Sequence, residues 1–264
     1  MKWTLPQQIH QNFEEHRIPV GKSGETIHAW HFKTNKPKQG TVIHFHGNAQ
    51  NMSAHILFVA WLINEGYDLI TFDYRGYGMS DGLASRENTI EDGESVLNWF
   101  AEREKNRNVF VVAQSLGGAI APVALHRSNP ANIAGVVLES TFLSYRELAQ
   151  KKLATFFLTW PLQWPLSFLV TDSLSPEFFQ MKFVFPIMVI HGTQDTVVPF
   201  SEGLALAEHL LQSKSSSIAF HTELNGAHTS CFASQDLSRC KQNTLAFFRS
   251  ALEDVSALRT GKSQ

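Results

Sequence analysis

The chain has 264 residues, of which 43% are hydrophobic and 17% charged, and its formal net charge is −2. This is the balance of a globular protein with a sizeable core, and one α/β domain often reaches this length. Because there is no basic excess to neutralise phosphates, a nucleic-acid partner is not expected.

The chain contains two cysteines, Cys231 and Cys240. They are too few for a disulfide framework or a full metal-ligand set, and we interpret them as two unrelated thiols. No long apolar run follows Met1, so neither a signal peptide nor a membrane span is indicated. A cytoplasmic protein is the simplest interpretation, although a chain whose N-terminal anchor had been removed would look the same.

Strand-like and helix-like runs alternate in the first half of the chain. The pattern predicts a half-buried edge strand at 25–33 and a buried strand at 41–45. A helix at 54–65, capped by Asn51 or Ser53, should follow, and then a strand at 68–72 and a helix at 89–104. This alternation predicts parallel βαβ units.

The second half continues the pattern. A strand at 108–112 leads to Ser115, and a helix is predicted at 117–127. Three strands at 134–138, 187–190 and 217–224 and a closing helix at 237–255 complete the pattern. One open, mostly parallel sheet with helices on both faces accounts for nearly the whole chain. We therefore predict a single α/β domain over 1–264, with a lid insert at about 142–185.

The run Val111-Val112-Ala113-Gln114-Ser115-Leu116-Gly117-Gly118 predicts a strand, a sharp turn and a helix, with Ser115 at the apex. This is the small-x-Ser-x-Gly pattern of a nucleophile elbow, here with Ala113 where glycine is usual. The strained turn requires small residues two positions before and after the serine. The pattern alone is a weak signal, because strand-to-helix turns with serine are common.

Two further polar residues follow predicted strands. Asp195 comes after the strand at 187–190, and His228 comes after the strand at 217–224. Parallel sheets bind ligands at the carboxyl ends of their strands, so Ser115, Asp195 and His228 are expected to meet there. His228 would take the proton from the serine hydroxyl, and Asp195 would orient the imidazole and stabilise its charged form.

The negative charge that forms on an attacked carbonyl oxygen needs backbone N–H donors. The N–H of Leu116 is one predicted donor, and the loop His46-Gly47-Asn48-Ala49 should supply the second. We assign it to Asn48, with Ala49 as the alternative. Glu139 is the runner-up to Asp195 as the acid, and Asp73 is interpreted as a hydrogen-bonding brace for its loop.

These residues resemble those of the α/β-hydrolase superfamily over residues 15–255. Three separated motifs are more specifically similar to the bud-emergence-type serine hydrolases: 46–49 with 51–55, 72–76, and 139–142. The resemblance implies the α/β-hydrolase fold, no cofactor, and Ser115, Asp195 and His228 as the catalytic triad.

The insert contains an apolar run from Ala154 to Leu169 that two prolines interrupt, which argues against a plain membrane span. As a lid, it would offer Phe157 and Trp160, together with Phe156 and Trp164, to an apolar acyl pocket. The equal alternative is that these side chains only pack the lid onto the sheet. A lid that touches a membrane surface, with Lys151 and Lys152 at the interface, is a third interpretation.

The predicted function is that of a serine hydrolase cleaving carboxylic esters or thioesters, with a small or lipid-like acyl substrate. A serine peptidase of the same fold is one alternative, and a catalytically silent hydrolase fold used for binding is another. The peptidase ranks lower because no second domain is present to select peptides.

Overall fold

Eight strands form one sheet in the computed structural model, which describes residues 13–21, 24–104, 108–155, 157–213, 217–233 and 238–260. The strands are β1 (Phe13–Pro19), β2 (Thr26–Phe32), β3 (Gly40–Phe45), β4 (Tyr67–Phe72), β5 (Val109–Gln114), β6 (Ile133–Glu139), β7 (Pro186–Gly192) and β8 (Ser217–Glu223). Their spatial order is β1-β2-β4-β3-β5-β6-β7-β8. The β1–β2 and β2–β4 pairs are antiparallel, and the pairs from β4 to β8 are parallel.

Helices cover both faces of this sheet. They are α1 (Met52–Val59), α2 (Arg86–Arg103), α3 (Leu116–Ser128), α4 (Tyr145–Ala154), α5 (Gln163–Ser167), α6 (Phe200–Gln212), α7 (Ser230–Ala233) and α8 (Arg239–Thr260). One hydrophobic cluster joins α2, α3 and α6 to one face, and a second joins α1 and α8 to the other. The predicted fold class, a mostly parallel α/β sheet with helices on both faces, is confirmed.

The central strand β5 shows why the sequence specifies this layering. Val111 belongs to the cluster on one face, while Phe110 and Val112 belong to the cluster on the other. Phe110 packs against Phe248 of α8 with ring centroids 4.2 Å apart. A strand that is apolar at every position is stable only when both its faces are covered.

The segment predicted as an edge strand is in fact the second strand of the sheet. β1, a stretch that the patterns left unassigned, pairs with β2 from Phe13↔Phe32 to Pro19↔Thr26 and forms the edge. The alternating polar residues of β2 are buried rather than solvated. His28 lies 3.1 Å from a Glu15 oxygen, and His31 lies 3.5 Å from Asp68, so partners replace water at these positions.

Helix boundaries differ from the predicted ones where capping residues decide them. α1 begins at Met52 because the Asn51 side chain accepts a hydrogen bond from the Ser53 N–H, and a 3-10 helix continues it over Ala60–Glu65. α2 begins three residues earlier than predicted, because Ser85 caps it by accepting from the Asn88 N–H. Helix α6 was not predicted.

The interpretation of the cysteines as unrelated thiols is wrong. Cys231 in α7 and Cys240 in α8 are joined by a disulfide, with their Cα atoms 5.5 Å apart. The nine-residue separation gave no indication of this pairing, because it depends on α7 packing against the start of α8. Within the described residues, no helix has both the length and the apolar character that crossing a membrane requires.

Candidate active site

Ser115 occupies the turn between β5 and α3 with φ 53° and ψ −119°, a backbone conformation that non-glycine residues rarely adopt. Its N–H donates to the carbonyl oxygen of Glu139 at 2.9 Å, and its own carbonyl accepts from the Gly118 N–H at 3.0 Å. These bonds hold the strained turn between two neighbouring strands and the helix. The serine side chain is thereby placed at the carboxyl edge of the sheet.

The small neighbours of the serine are required by close packing. A Cβ atom on Gly117 would lie 2.3 Å from the carbonyl oxygen of Phe45, so this position has no room for a side chain. Ala113 is fully buried and pairs with Phe45 of β3 and Leu138 of β6. Alanine therefore serves where glycine is usual, and the predicted requirement for small residues is confirmed.

The structure brings Ser115, His228 and Asp195 into one hydrogen-bonded chain. The serine Oγ lies 3.0 Å from His228 Nε2, and His228 Nδ1 lies 2.8 Å from Asp195 Oδ2. The loop after β8 carries the histidine and the loop after β7 carries the aspartate, as the strand pattern predicts. The hydroxyl can donate to Nε2 only if Nδ1 carries the other proton, and Asp195 favours that tautomer.

Asp195 is held in its ionised form. Burial alone would raise the pKa of its carboxyl, but hydrogen bonds from His191 and His228 outweigh burial and lower that pKa well below its usual range. The second carboxylate oxygen accepts from the N–H groups of Val197 and Val198, each at 2.8 Å. A carboxylate fixed in this way has one oxygen left for His228, which sets the orientation of the imidazole ring.

The rival acids lie in other networks. Glu139 accepts hydrogen bonds from the Gln114 side chain and from the Cys231 N–H, and its complete burial raises its pKa to about 7. Asp73 accepts from the Met52 N–H at 2.8 Å and lies 3.3 Å from His46. Asp73 thus braces the loop after β3, whereas the sequence interpretation had it brace its own loop after β4. Of the three candidates, Asp195 is hydrogen-bonded to His228.

The loop after β3 and the start of α3 face each other across Ser115. Asn48 and Leu116 line the same cavity as the serine, where their N–H groups were predicted to lie. The hydroxyl of Tyr77 donates to Asn48 Oδ1 at 2.7 Å, which anchors this loop. The alternative donor, Ala49, uses its carbonyl to accept from His55 Nε2 at 2.6 Å.

Two residues that support this loop were missed as site residues. His46 is fully buried and stacks on His55 with ring centroids 5.1 Å apart, and the Tyr74 hydroxyl donates to the His46 carbonyl. Burial lowers the pKa of His55 to about 4, so this ring is neutral near pH 7. A histidine in a loop gives no sequence signal for such a role, because its burial depends on tertiary packing.

A cavity of about 470 Å³ opens beside Ser115. Its wall is largely apolar and aromatic, and it is lined by Asn48, Tyr77, Ala84, Ser85, Arg86, Thr89, Ser115, Leu116, Phe142, Tyr145, Leu148, Lys152, Val197 and Val198. The insert contributes Phe142 and, from α4, Tyr145, Leu148 and Lys152.

The predicted pocket residues Phe157 and Trp160 are not part of this lining. Their side chains are 76% and 60% exposed, and Trp164 is similarly exposed. Phe156 lies outside the described residues. The insert residues that do line the cavity, such as Leu148 and Lys152, precede the predicted ones in the chain, because an apolar run does not reveal which of its residues faces the serine.

Among the described residues of the cavity wall, Arg86 and Lys152 are charged and none is a carboxylate. Arg86 donates to the carbonyl of Thr171 and lies over the Tyr145 ring, 4.3 Å from its centroid. Lys152 donates to the carbonyl of Thr196. Two clusters in the described residues have metal-ligand spacing, Glu14 with His16 and His31, and His221 with Glu223 and Cys240. Neither contains a residue of the cavity wall, and the Cys240 sulfur is already bonded in the disulfide.

Comparisons with known proteins identify the family of this chain. The model of the family described as "Serine aminopeptidase, S33" matches residues 36–179. The uncharacterized protein YfhR of Salmonella typhimurium is 32% identical over 199 residues, which cover 69% of this chain and 65% of the relative. The lysophosphatidylserine lipase ABHD12 of Danio rerio is 26% identical over 76% of this chain and 56% of its own length.

The chain therefore spans about two thirds or less of the length of these relatives. Among solved structures, the esterase Pf2001 of Pyrococcus furiosus aligns with a TM-score of 0.71 at 19% identity, over 95% of this chain and 96% of that one. At this identity the likeness concerns the fold.

Proposed function

Because the chain belongs to the α/β-hydrolase superfamily, within the family of serine aminopeptidase S33, we propose that it is a serine hydrolase of carboxylic esters or thioesters. The observation that carries the proposal is the hydrogen-bonded chain from Asp195 through His228 to Ser115. A neutral serine hydroxyl is a poor nucleophile, and this arrangement is how hydrolases activate it.

In the proposed reaction, Ser115 Oγ attacks the acyl carbonyl carbon while His228 Nε2 takes its proton. The carbonyl π electrons move to oxygen, and the N–H groups of Leu116 and Asn48 are the proposed donors to that oxyanion. Collapse expels the alcohol or thiol, which receives the proton from His228, and leaves an acyl-enzyme on Ser115. Water then repeats the steps and releases the acid.

The cavity wall supports an acyl substrate. Phe142, Leu148 and Leu116 supply apolar surface next to the nucleophile, and the cavity of about 470 Å³ lies in the size range of small-molecule sites. Each methylene buried there is worth about 0.8 kcal/mol of binding. We therefore propose a lipid-like acyl ester rather than a short, fully polar one.

Aminopeptidase activity, which the family description suggests, is the alternative within this superfamily. An aminopeptidase must bind the α-ammonium group of its substrate, and a carboxylate is the usual partner for an ammonium ion. The described residues that line this cavity include Arg86 and Lys152 but no carboxylate. This charge distribution favours a neutral or anionic ester over a peptide with a free N-terminus.

The proposal is tested by turnover of p-nitrophenyl esters and acyl-CoA thioesters from two to twelve acyl carbons, beside aminoacyl p-nitroanilides. We expect ester or thioester hydrolysis that Ser115→Ala abolishes. Faster cleavage of the aminoacyl anilides would establish the peptidase instead. The absence of turnover on every substrate by the folded protein would support the silent binding protein.

A further inference from the structure

The insert carries the largest group of exposed apolar side chains in the described residues. We call it the lid patch, and its members are between 52% and 78% exposed: Phe157, Leu158, Trp160, Leu162, Trp164, Phe168 and Leu169. All seven lie within 13 consecutive positions. A soluble monomer rarely exposes this much contiguous apolar surface without a binding partner for it.

The patch has a repeated construction. Trp160-Pro161-Leu162 forms a 3-10 turn, and Trp164-Pro165-Leu166 begins one position into α5. The two tryptophans are four residues apart, so they follow one another by about one helical turn. Ser167, a small polar residue, is the buried residue of α5. The helix thus turns its small residue inward and leaves its large apolar ones outside.

The patch segment itself carries positive charges, and the exposed Glu147 lies just before it. Between Leu148 and Thr171 the chain contains Lys151 and Lys152 but no aspartate or glutamate. The Lys152 side chain is exposed, and the guanidinium of Arg146 lies 5.4 Å from the centroid of the Phe168 ring. Lys151 is paired with the buried Glu202, so the positive charge available to a partner comes mainly from the other two. A partner with negative surface charge is complementary to this rim.

We propose that the lid patch docks on an anionic lipid surface. Tryptophan is favoured at such a surface because its ring is apolar while its indole N–H needs a polar partner, and lipid headgroups and interfacial water supply one. Leucine and phenylalanine between the indoles enter the acyl region, and cations on the rim meet the anionic headgroups. A protein partner would be expected to offer carboxylates and shape complementarity instead.

The position of the patch gives docking a consequence. It follows α4 directly, and the cavity beside Ser115 is lined by Leu148 and Lys152 of that helix. A surface that seats the patch therefore lies next to the cavity mouth. A lipid-like ester could pass from the lipid layer to the serine without its acyl chain crossing bulk water.

The test is co-sedimentation with vesicles of phosphatidylcholine alone and of phosphatidylcholine with a quarter phosphatidylglycerol. It uses the Ser115→Ala protein, so that binding is measured without hydrolysis and stands independently of the proposed reaction. A second variant adds Leu158→Ser, Leu162→Ser and Leu169→Ser, and a matched control adds Val184→Ser, Leu204→Ser and Leu211→Ser at exposed positions outside the patch. Thermal melts of all three verify folding.

We expect binding to the anionic vesicles, at least a tenfold loss in the lid variant, and no change in the control. Quenching of Trp160 and Trp164 fluorescence by brominated acyl chains should accompany binding. No binding to anionic vesicles, equal binding to neutral ones, or equal loss in both variants would overturn the proposal. A dimer of the starting protein that is lost in the lid variant and kept in the control would also overturn the proposal, because the patch would then bind a second copy of the chain.

Discussion

The strand ends and the lid patch differ in how their side chains are covered. At the strand ends, buried polar groups such as Asp195 have hydrogen-bond partners on both oxygens. In the lid patch, large apolar groups such as Trp160 and Leu169 lack cover from the rest of the described chain. Asp195 finds its partners within the chain, whereas the lid patch leaves apolar surface exposed. The proposed reaction therefore rests on the strand ends, and the proposed docking on an anionic lipid surface rests on the lid patch.

The largest expected effect comes from a substitution at the strand ends. Asp195→Asn should keep the fold and lower kcat by about 10⁴, because the asparagine cannot hold His228 in the required tautomer or stabilise its charged form. Steady-state turnover of a p-nitrophenyl ester measures this. Glu139→Gln is the matched control, since Glu139 is equally buried but bonds to Gln114 and Cys231. A larger loss in the Glu139 variant would transfer the role of the acid to that residue.

The same control residue makes a pH prediction about stability. Burial raises the pKa of the Glu139 carboxyl from its ordinary value of 4.5 to about 7 in the folded protein. Between those pH values the folded state keeps a proton that the unfolded state has lost, so the free energy of unfolding falls as pH rises. This loss in the free energy of unfolding approaches about 3 kcal/mol above pH 7.

Urea denaturation of wild type and Glu139→Gln at several pH values from 4.5 to 8 isolates this contribution. The difference between the two curves should change with pH, with the variant losing less stability as pH rises. Parallel curves would mean that Glu139 is ionised in the folded protein at neutral pH.

The disulfide lies just beyond the histidine loop and offers a milder perturbation. Closing nine residues of chain should stabilise the folded state by about 2–3 kcal/mol, so reduction should lower the melting temperature. Cys231→Ser with Cys240→Ser should match the reduced protein and be insensitive to reductant. Thiol titration of the unreduced, denatured protein should find none of the two thiols free. Two free thiols would contradict the bond and favour a reducing compartment such as the cytoplasm.

The smallest expected effect separates the cavity from the lid patch. Leu148→Ala should weaken kcat/KM for an eight-carbon ester about tenfold and leave acetate nearly unchanged, because contact with about two methylenes is lost. Trp160→Ala should leave this chain-length profile unchanged for soluble substrates, since Trp160 does not line the cavity. A selective loss of kcat/KM for long-chain esters in the Trp160 variant would show instead that Trp160 contacts the acyl chain.

Sequence patterns located the strand-end residues because the fold is periodic there. A strand that is apolar throughout ends at a fixed edge, so Ser115, Asp195 and His228 converge whatever their intervening loops do. Tertiary details had no such signal. The outer strand β1, the Cys231–Cys240 bond and the burial of His46 all depend on distant elements packing together. The prediction that Phe157 and Trp160 line the acyl pocket failed for another reason. Apolar residues that face a cavity and apolar residues that face outward have the same composition.

The central claim is that Ser115 is the activated nucleophile. Its most direct test is a fluorophosphonate probe on the folded protein, followed by proteolysis and mass spectrometry to locate the adduct. We expect one equivalent of label on Ser115, no label in Ser115→Ala, and much slower labelling in His228→Ala. Labelling of a different residue, or no labelling of folded wild-type protein, would contradict the account.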